Sequence, residues 1–286
     1  MMTENVSHPL LGGFLPDLHI TSAQNPRVKL AVSLRDRRDR DRDGLYIIEG
    51  YRALRRGLDY GVTVRELFVC PEMFLGENEP ALLADYRKAG TKIYTATPAV
   101  FERMAYRERP EGLLGIAPQV RRGLDAINLA ENPLLLIAVA IEKPGNLGTI
   151  LRSADATGVT GLVICDRCTD LYNPNVVRAS TGTLFSVPIA ESNTEETLAW
   201  LAANKIPVLA ATPHTTNNYT DVDMRGPVAI AVGCEMTGLN DAWMNRATMR
   251  VKIPMLGMAD SLNVATATTI LLYEAARQRN WKPARV

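Results

Sequence analysis

Histidine and cysteine are both scarce in this chain. The only histidines are His8, His19 and His214, and the cysteines are Cys70, Cys165, Cys168 and Cys234. Cys165 and Cys168 form a C-x-x-C, but no second pair and no suitably spaced histidine completes a zinc set, so no metal is expected. Cys165 reads as the end of a strand, and both residues read as structural. Four cysteines in 286 residues are too few for a disulfide scaffold, which points to a reducing, cytoplasmic setting. Long apolar runs are missing as well. None approaches the roughly 20 residues that cross a bilayer, so no membrane partner is expected. Residues 1–19, beginning MMTENVSHPLLGGFLPDL, lack a basic leader ahead of an apolar stretch and read as a loose extension.

The common phosphate-binding and hydrolase loops are absent too. Gly233 and Gly238 have P-loop spacing, but Leu239 stands where lysine is needed. No G-x-G-x-x-G follows a strand, which disfavours a dinucleotide site. The absence of a G-x-S-x-G elbow argues against an α/β-hydrolase.

What is present is enough apolar content, 47%, to bury one large core or two ordinary ones. The net charge of +1 conceals a local excess: between Ile20 and Tyr60 ten basic residues face six acids. Arg35, Arg37 and Arg38 lie in this run. Such a run suits an RNA phosphate footprint. It suits a solvated helix face with i,i+4 ion pairs equally well. The same run contains D-x-D-x-D-G at Asp39–Gly44, but the twelfth calcium-loop position falls on Gly50, and Arg40 and Arg42 oppose a dication. Calcium binding is rejected.

The pattern predicts an α/β protein. In residues 20–120 helices are expected at Pro26–Arg42, Tyr51–Tyr60, Pro80–Ala89 and Ala99–Met104. Strands are expected at Leu45–Ile48, Val64–Cys70, Lys92–Thr95 and Leu113–Gln119. Residues 121–133, with Gly123 and an Asn-Pro, read as a linker. From 134 to 286 strands are expected at Leu134–Ile141, Leu162–Cys165, Phe185–Ile189, Val208–Ala211, Val228–Val232 and Met249–Ile253. The last two feed turns rich in Gly, Ser, Asn and Glu, and Asp260 and Ser261 mark the start of a long closing helix. Ligands of open α/β sheets gather outside the carboxyl ends of strands, and Glu235, Asn240, Ser261 and Asn263 crowd two such ends. Polar groups there need partners.

Three stretches then carry a resemblance: NLGTILRSADATGV (146–159), GCEMTGL (233–239) and IPMLGMADSLNVATATTILLYEAARQ (253–278). They resemble, in order and spacing, the three motifs of the SpoU/TrmH family of RNA ribose 2′-O-methyltransferases, in the SPOUT superfamily. ITSAQNPRVKLAVSLRDRR and GLYIIEGYRAL resemble the substrate-binding domain of many members, which is related to a ribosomal-protein fold.

The resemblance implies a trefoil-knotted parallel-sheet domain, a homodimer, and S-adenosylmethionine as methyl donor. It implies that Asn146 and Arg152 lie at the ribose, and that Arg152 of one subunit completes the other's site. It also implies that Glu235, Ser261 and Asn263 belong to the catalytic set, with Glu235 as a structural partner inside it. The donor would lie near Gly233, Ile253 and Leu262. Arg178, with Ser180 and Gly182, matches a segment near the site and joins Arg35, Arg37 and Arg38 as an RNA-binding candidate.

Methyl transfer from a sulfonium needs alignment and proton removal rather than a metal. A guanidinium is a poor base, so Arg152 reads better as a clamp on phosphate and developing alkoxide charge, with the base role kept open. The expected substrate is ribosomal RNA, with transfer RNA second. A catalytically silent RNA-binding protein is the alternative from another class.

Overall fold

The computed structural model describes residues 11, 15–234 and 236–284; Glu235 lies outside the described residues. The chain forms two compact units. One holds the described residues through Val120 together with Tyr172–Phe185, and the other holds Arg121–Leu171 and the residues from Ser186 onward.

The first unit runs β1 (Leu18–Ile20), α1 (Pro26–Ser33), α2 (Arg37–Asp43), β2 (Leu45–Glu49), α3 (Tyr51–Asp59), β3 (Glu66–Val69), α4 (Glu79–Lys88), β4 (Lys92–Ala96), α5 (Pro98–Met104) and β5 (Leu113–Pro118). Its five strands lie in the order β1-β4-β3-β5-β2. The first three are parallel, while β5 runs antiparallel to both β3 and β2. Val28, Ala31 and Leu34 of the α1 region join Phe101 and Met104 of α5 over Ile47, Phe68, Tyr94 and Ile116, forming one dry cluster.

The single helix expected over Pro26–Arg42 is two. Asp36 adopts an extended conformation between α1 and α2, and the Arg40 side chain explains the break. Arg40 is 1% exposed, and its Nη1 donates to the carbonyls of Leu34 (2.9 Å) and Arg35 (2.6 Å) beyond the end of α1. A charged donor thus occupies carbonyls that a continuous helix would have bonded internally.

The second unit runs β6 (Leu134–Val139), α6 (Pro144–Ala156) and β7 (Gly161–Cys165). After α7 (Pro174–Ser180) and α8 (Thr183–Ser186) come β8 (Ile189–Ser192), α9 (Thr194–Ala203), β9 (Val208–Ala211), β10 (Val228–Val232), α10 (Asp241–Arg246), β11 (Met249–Val251) and α11 (Val264–Gln278). The six strands form a parallel sheet in the order β11-β9-β10-β6-β7-β8. Their near-continuous apolar runs follow from burial on both faces. Leu135, Ile137 and Val139 point into one cluster with Val163, Ala229, Ala231 and Trp243, while the alternating Leu134, Leu136 and Ala138 are equally buried.

The strand expected at Phe185–Ile189 begins later, at Ile189. Phe185 N instead bonds the Gly182 carbonyl (3.1 Å) and Thr183 Oγ1 the Ser180 carbonyl (2.7 Å), closing the short helix α8. The segment Tyr172–Phe185 is held within the first unit. Tyr172 Oη bonds Val120 N (2.9 Å), and its ring lies 4.4 Å from that of Tyr46. A Cβ on Gly182, whose φ is +93°, would sit 2.8 Å from Arg56 Cδ.

Cys165 is buried at the end of β7, where burial pushes its thiol up to about 11. Cys168 is exposed. Among the described residues no cluster of three or more His, Cys, Asp or Glu side chains is placed to hold a metal, and no helix is long and apolar enough to cross a membrane.

Replacing Arg40 by Met keeps the volume but leaves two carbonyls without their charged donor. Chemical denaturation of Arg40→Met is expected to show a loss of about 2 kcal/mol, far above the effect of Arg38→Met on the surface.

Candidate active site

The site is built at the carboxyl ends of β9, β10 and β11. β10 stops at Val232 and the chain turns sharply, with Gly238 N donating to the Cys234 carbonyl at 2.9 Å. Gly238 has φ +69°, and a Cβ on Gly233 would lie 2.3 Å from the Gly238 carbonyl carbon. A side chain at 233 would therefore have to displace the backbone of this loop. β11 stops at Val251, two residues short of the expected strand end. The chain from Lys252 then loops to α11.

That helix starts at Val264, later than Asp260 and Ser261 suggested. The cap is Asn263, whose Oδ1 accepts from Ala265 N (3.0 Å) and Thr266 N (3.4 Å). Its other amide atom, Nδ2, donates to Asn146 Oδ1 at 3.0 Å. Asn146 lies in the first turn of α6, which packs along α11. Two turns further on, Ser153 Oγ and Thr269 Oγ1 make a second link of 2.6 Å between these helices.

Between the loops lies a cleft of about 640 Å³. Gly233, Ile253, Leu262, Ser261 and Asn263, five of the residues singled out from the sequence, line it. Val232, Leu239, Met244, Met255 and Leu271 supply further apolar wall. Lys143, Cys234 and Lys252 also line it and were not singled out from the sequence. Lys143 stood in view three residues before Asn146, but nothing local marks it. Cys234 Sγ donates to Glu142 Oε1 at 3.4 Å.

Arg152 is placed differently. It is exposed on α6, does not line this cleft, and makes no hydrogen bond or ion pair among the described residues. The RNA candidates also diverge. Arg35 is half-buried, and its Nη2 donates to the carbonyls of Arg103 (2.7 Å) and Ala105 (2.6 Å), so it holds the fold. Arg37 pairs with Asp41 at 3.6 Å on the helix surface. Arg38 and Arg178 are exposed.

The SpoU rRNA Methylase family matches residues 133–273, and an MRM3-like substrate binding domain matches residues 25–115. The 23S rRNA (uridine(2479)-2′-O)-methyltransferase of Streptomyces viridochromogenes is 33% identical over 252 residues, 86% of this chain and 87% of its own. The chain belongs to the SpoU rRNA methylase family. An AdoMet-bound rRNA methyltransferase from Sinorhizobium meliloti superposes on it with a TM-score of 0.83 at 31% identity, covering 91% of this chain and 97% of the other. The crystal structure of an RNA 2′-O ribose methyltransferase gives 0.82 at 39% identity, covering 92% and 100%. The chain is accordingly an S-adenosylmethionine-dependent RNA methyltransferase of the SpoU family.

The cleft suits that donor. Its volume falls in the range that encloses a small ligand, and Val232, Leu239, Ile253, Leu262 and Leu271 give it an apolar wall beside polar groups such as Ser261 and Asn263. Gly233→Ala is expected to leave the circular dichroism spectrum unchanged and to weaken S-adenosylmethionine binding about tenfold or more by calorimetry, since about 1.4 kcal/mol of loop distortion suffices.

Proposed function

We propose that this protein transfers a methyl group to a ribose 2′-hydroxyl of ribosomal RNA, at the cleft where the β10 and β11 loops meet the first turn of α6. The observation that carries this reading is the Asn263–Asn146 bond, which ties the donor-side loop to the helix bearing Asn146 and Arg152. The 23S rRNA activity in the name of the Streptomyces viridochromogenes relative, and the substrate-binding domain over residues 25–115, support ribosomal RNA over transfer RNA.

When bound, S-adenosylmethionine supplies an electrophilic methyl group on a sulfonium. Gly233, Ile253 and Leu262 would hold it through backbone and apolar contact. Asn146, oriented by Asn263, positions the ribose, and Ser261 lines the cleft together with Asn263. Arg152, a permanent cation, grips phosphate and stabilises the alkoxide as the 2′-hydroxyl proton passes to solvent water. Glu235 is assigned to the same set by its place in the family motif alone.

Arg152 is exposed and away from the lining of its own cleft, which favours delivery into the cleft of a second copy. Apolar side chains near the cleft support a homodimer: Met236 is 86% exposed, Leu256 99% and Met258 102%, and a single copy leaves them bare. Arg38 and Arg178 are offered to the RNA backbone. A cytoplasmic protein with a trefoil-knotted second half completes the reading.

Arg152→Ala is expected to lower methyl transfer by about a hundredfold or more, with donor affinity unchanged, because the lost stabilisation belongs to the transition state. Mixing Arg152→Ala with Asn146→Ala protein under exchange should restore roughly a quarter of wild-type activity, the share of sites that two-fold symmetry leaves intact. Full-rate transfer by Arg152→Ala would refute the role of the arginine. Mixtures no more active than their parents would refute its delivery from a second copy.

A further inference from the structure

Two lysines that the reading above does not use, Lys143 and Lys252, line the cleft. Asp260 is the only carboxylate among its described lining residues. Lys143 is exposed, and its ammonium has no hydrogen bond or ion pair among the described residues. It directly precedes Pro144, the first residue of α6, so its backbone ties it to the first turn that carries Asn146. Asn146 N and Leu147 N both bond the Lys143 carbonyl, at 3.0 and 3.2 Å.

Helix α6 gives this ammonium no partner among the described residues. The first turn of α6 contains no acidic side chain, and its free N–H groups carry partial positive charge. Asp260 in the lining and the neighbouring Glu142 make no ion pair with Lys143, so an anion entering the cleft would be its counter-charge. The donor brings one carboxylate, and the RNA strand brings a phosphodiester beside every ribose. A lysine is a compact point charge on a flexible stem, suited to a phosphate whose position varies with the seated nucleotide. Lys252 lies on the donor-side loop next to Ile253, while Lys143 lies on the acceptor side with Asn146.

We infer that Lys143 is an RNA-binding residue inside the cleft, contacting a phosphate next to the methylated ribose and so setting the register in which the 2′-hydroxyl meets Asn146. This rests on the acceptor-side role given to Asn146 above. The contact adds to the footprint of Arg38 and Arg178 and acts at the reacting nucleotide. No covalent step is assigned to it.

The test uses full-length wild-type protein, Lys143→Met and Lys143→Arg, with ribosomal RNA as acceptor. S-Adenosylmethionine affinity is measured separately by calorimetry. Lys143→Met is expected to raise KM for RNA about tenfold with kcat little changed. It should also reduce the slope of log(kcat/KM) against log salt by about 0.7, the release expected for one phosphate contact on single-stranded nucleic acid. Lys143→Arg should restore most of both. An unchanged KM and salt slope would overturn the inference. So would a weakened donor affinity with RNA terms unaltered, because that result assigns the ammonium to the donor's carboxylate. Wild-type protein that methylates no RNA would instead defeat the functional reading itself, a result distinct from an active enzyme indifferent to Lys143.

Discussion

One amide side chain holds the active-site architecture together. Asn263 uses its oxygen to cap α11 and its nitrogen to hold Asn146 at 3.0 Å. A serine or aspartate would cap the helix as well, but neither offers an N–H donor to Asn146 in the same geometry. The cap thus fixes where the loop after β11 ends and, through the same side chain, how the first turn of α6 lies against it. The second link, Ser153 to Thr269, keeps the two helices from sliding past each other.

The parallel sheet makes this arrangement possible. Strands buried on both faces deliver their carboxyl ends to one edge, and the chain has only backbone and loop side chains there with which to build a site. Gly233 lets two turns of backbone meet closely, and the cleft that remains is walled by Ile253, Leu262 and other apolar side chains. Such a cleft offers backbone and shape to a ligand, while the candidate cation Arg152 stands apart from it on α6. That division fits a reaction whose electrophile arrives already activated, so that alignment and charge stabilisation are what the protein has to supply.

Much of this was legible in the sequence. Val228–Val232 is a run of apolar residues bounded by Pro227 and Gly233, too short for a helix and too apolar for a surface strand, and it is β10. Gly233, Ile253, Ser261, Leu262 and Asn263 were found by motif and share one cleft. What failed depended on distant contacts. Asp260, Ser261 and Asn263 are all competent caps, and only the bond to Asn146, far away in sequence, distinguishes the third. Arg35, Arg38 and Arg40 are equivalent as letters in a basic run. The fold buries Arg40 on carbonyls, half-buries Arg35 on others and leaves Arg38 in water. The segment Tyr172–Phe185 follows β7 in sequence yet packs with the first unit, through contacts to Tyr46 and Arg56 that no local pattern announces.

The most direct measurement of the central claim is methyl transfer by an Asn263→Ser protein, because the exchange keeps a capping oxygen and leaves no group long enough to reach Asn146. With helix content, melting temperature and S-adenosylmethionine affinity retained, transfer to RNA should fall about tenfold or more, the scale of one lost positioning hydrogen bond near 1.4 kcal/mol. Wild-type transfer rates in that protein would contradict the account, since the two sides of the cleft would then be aligned by something other than this amide.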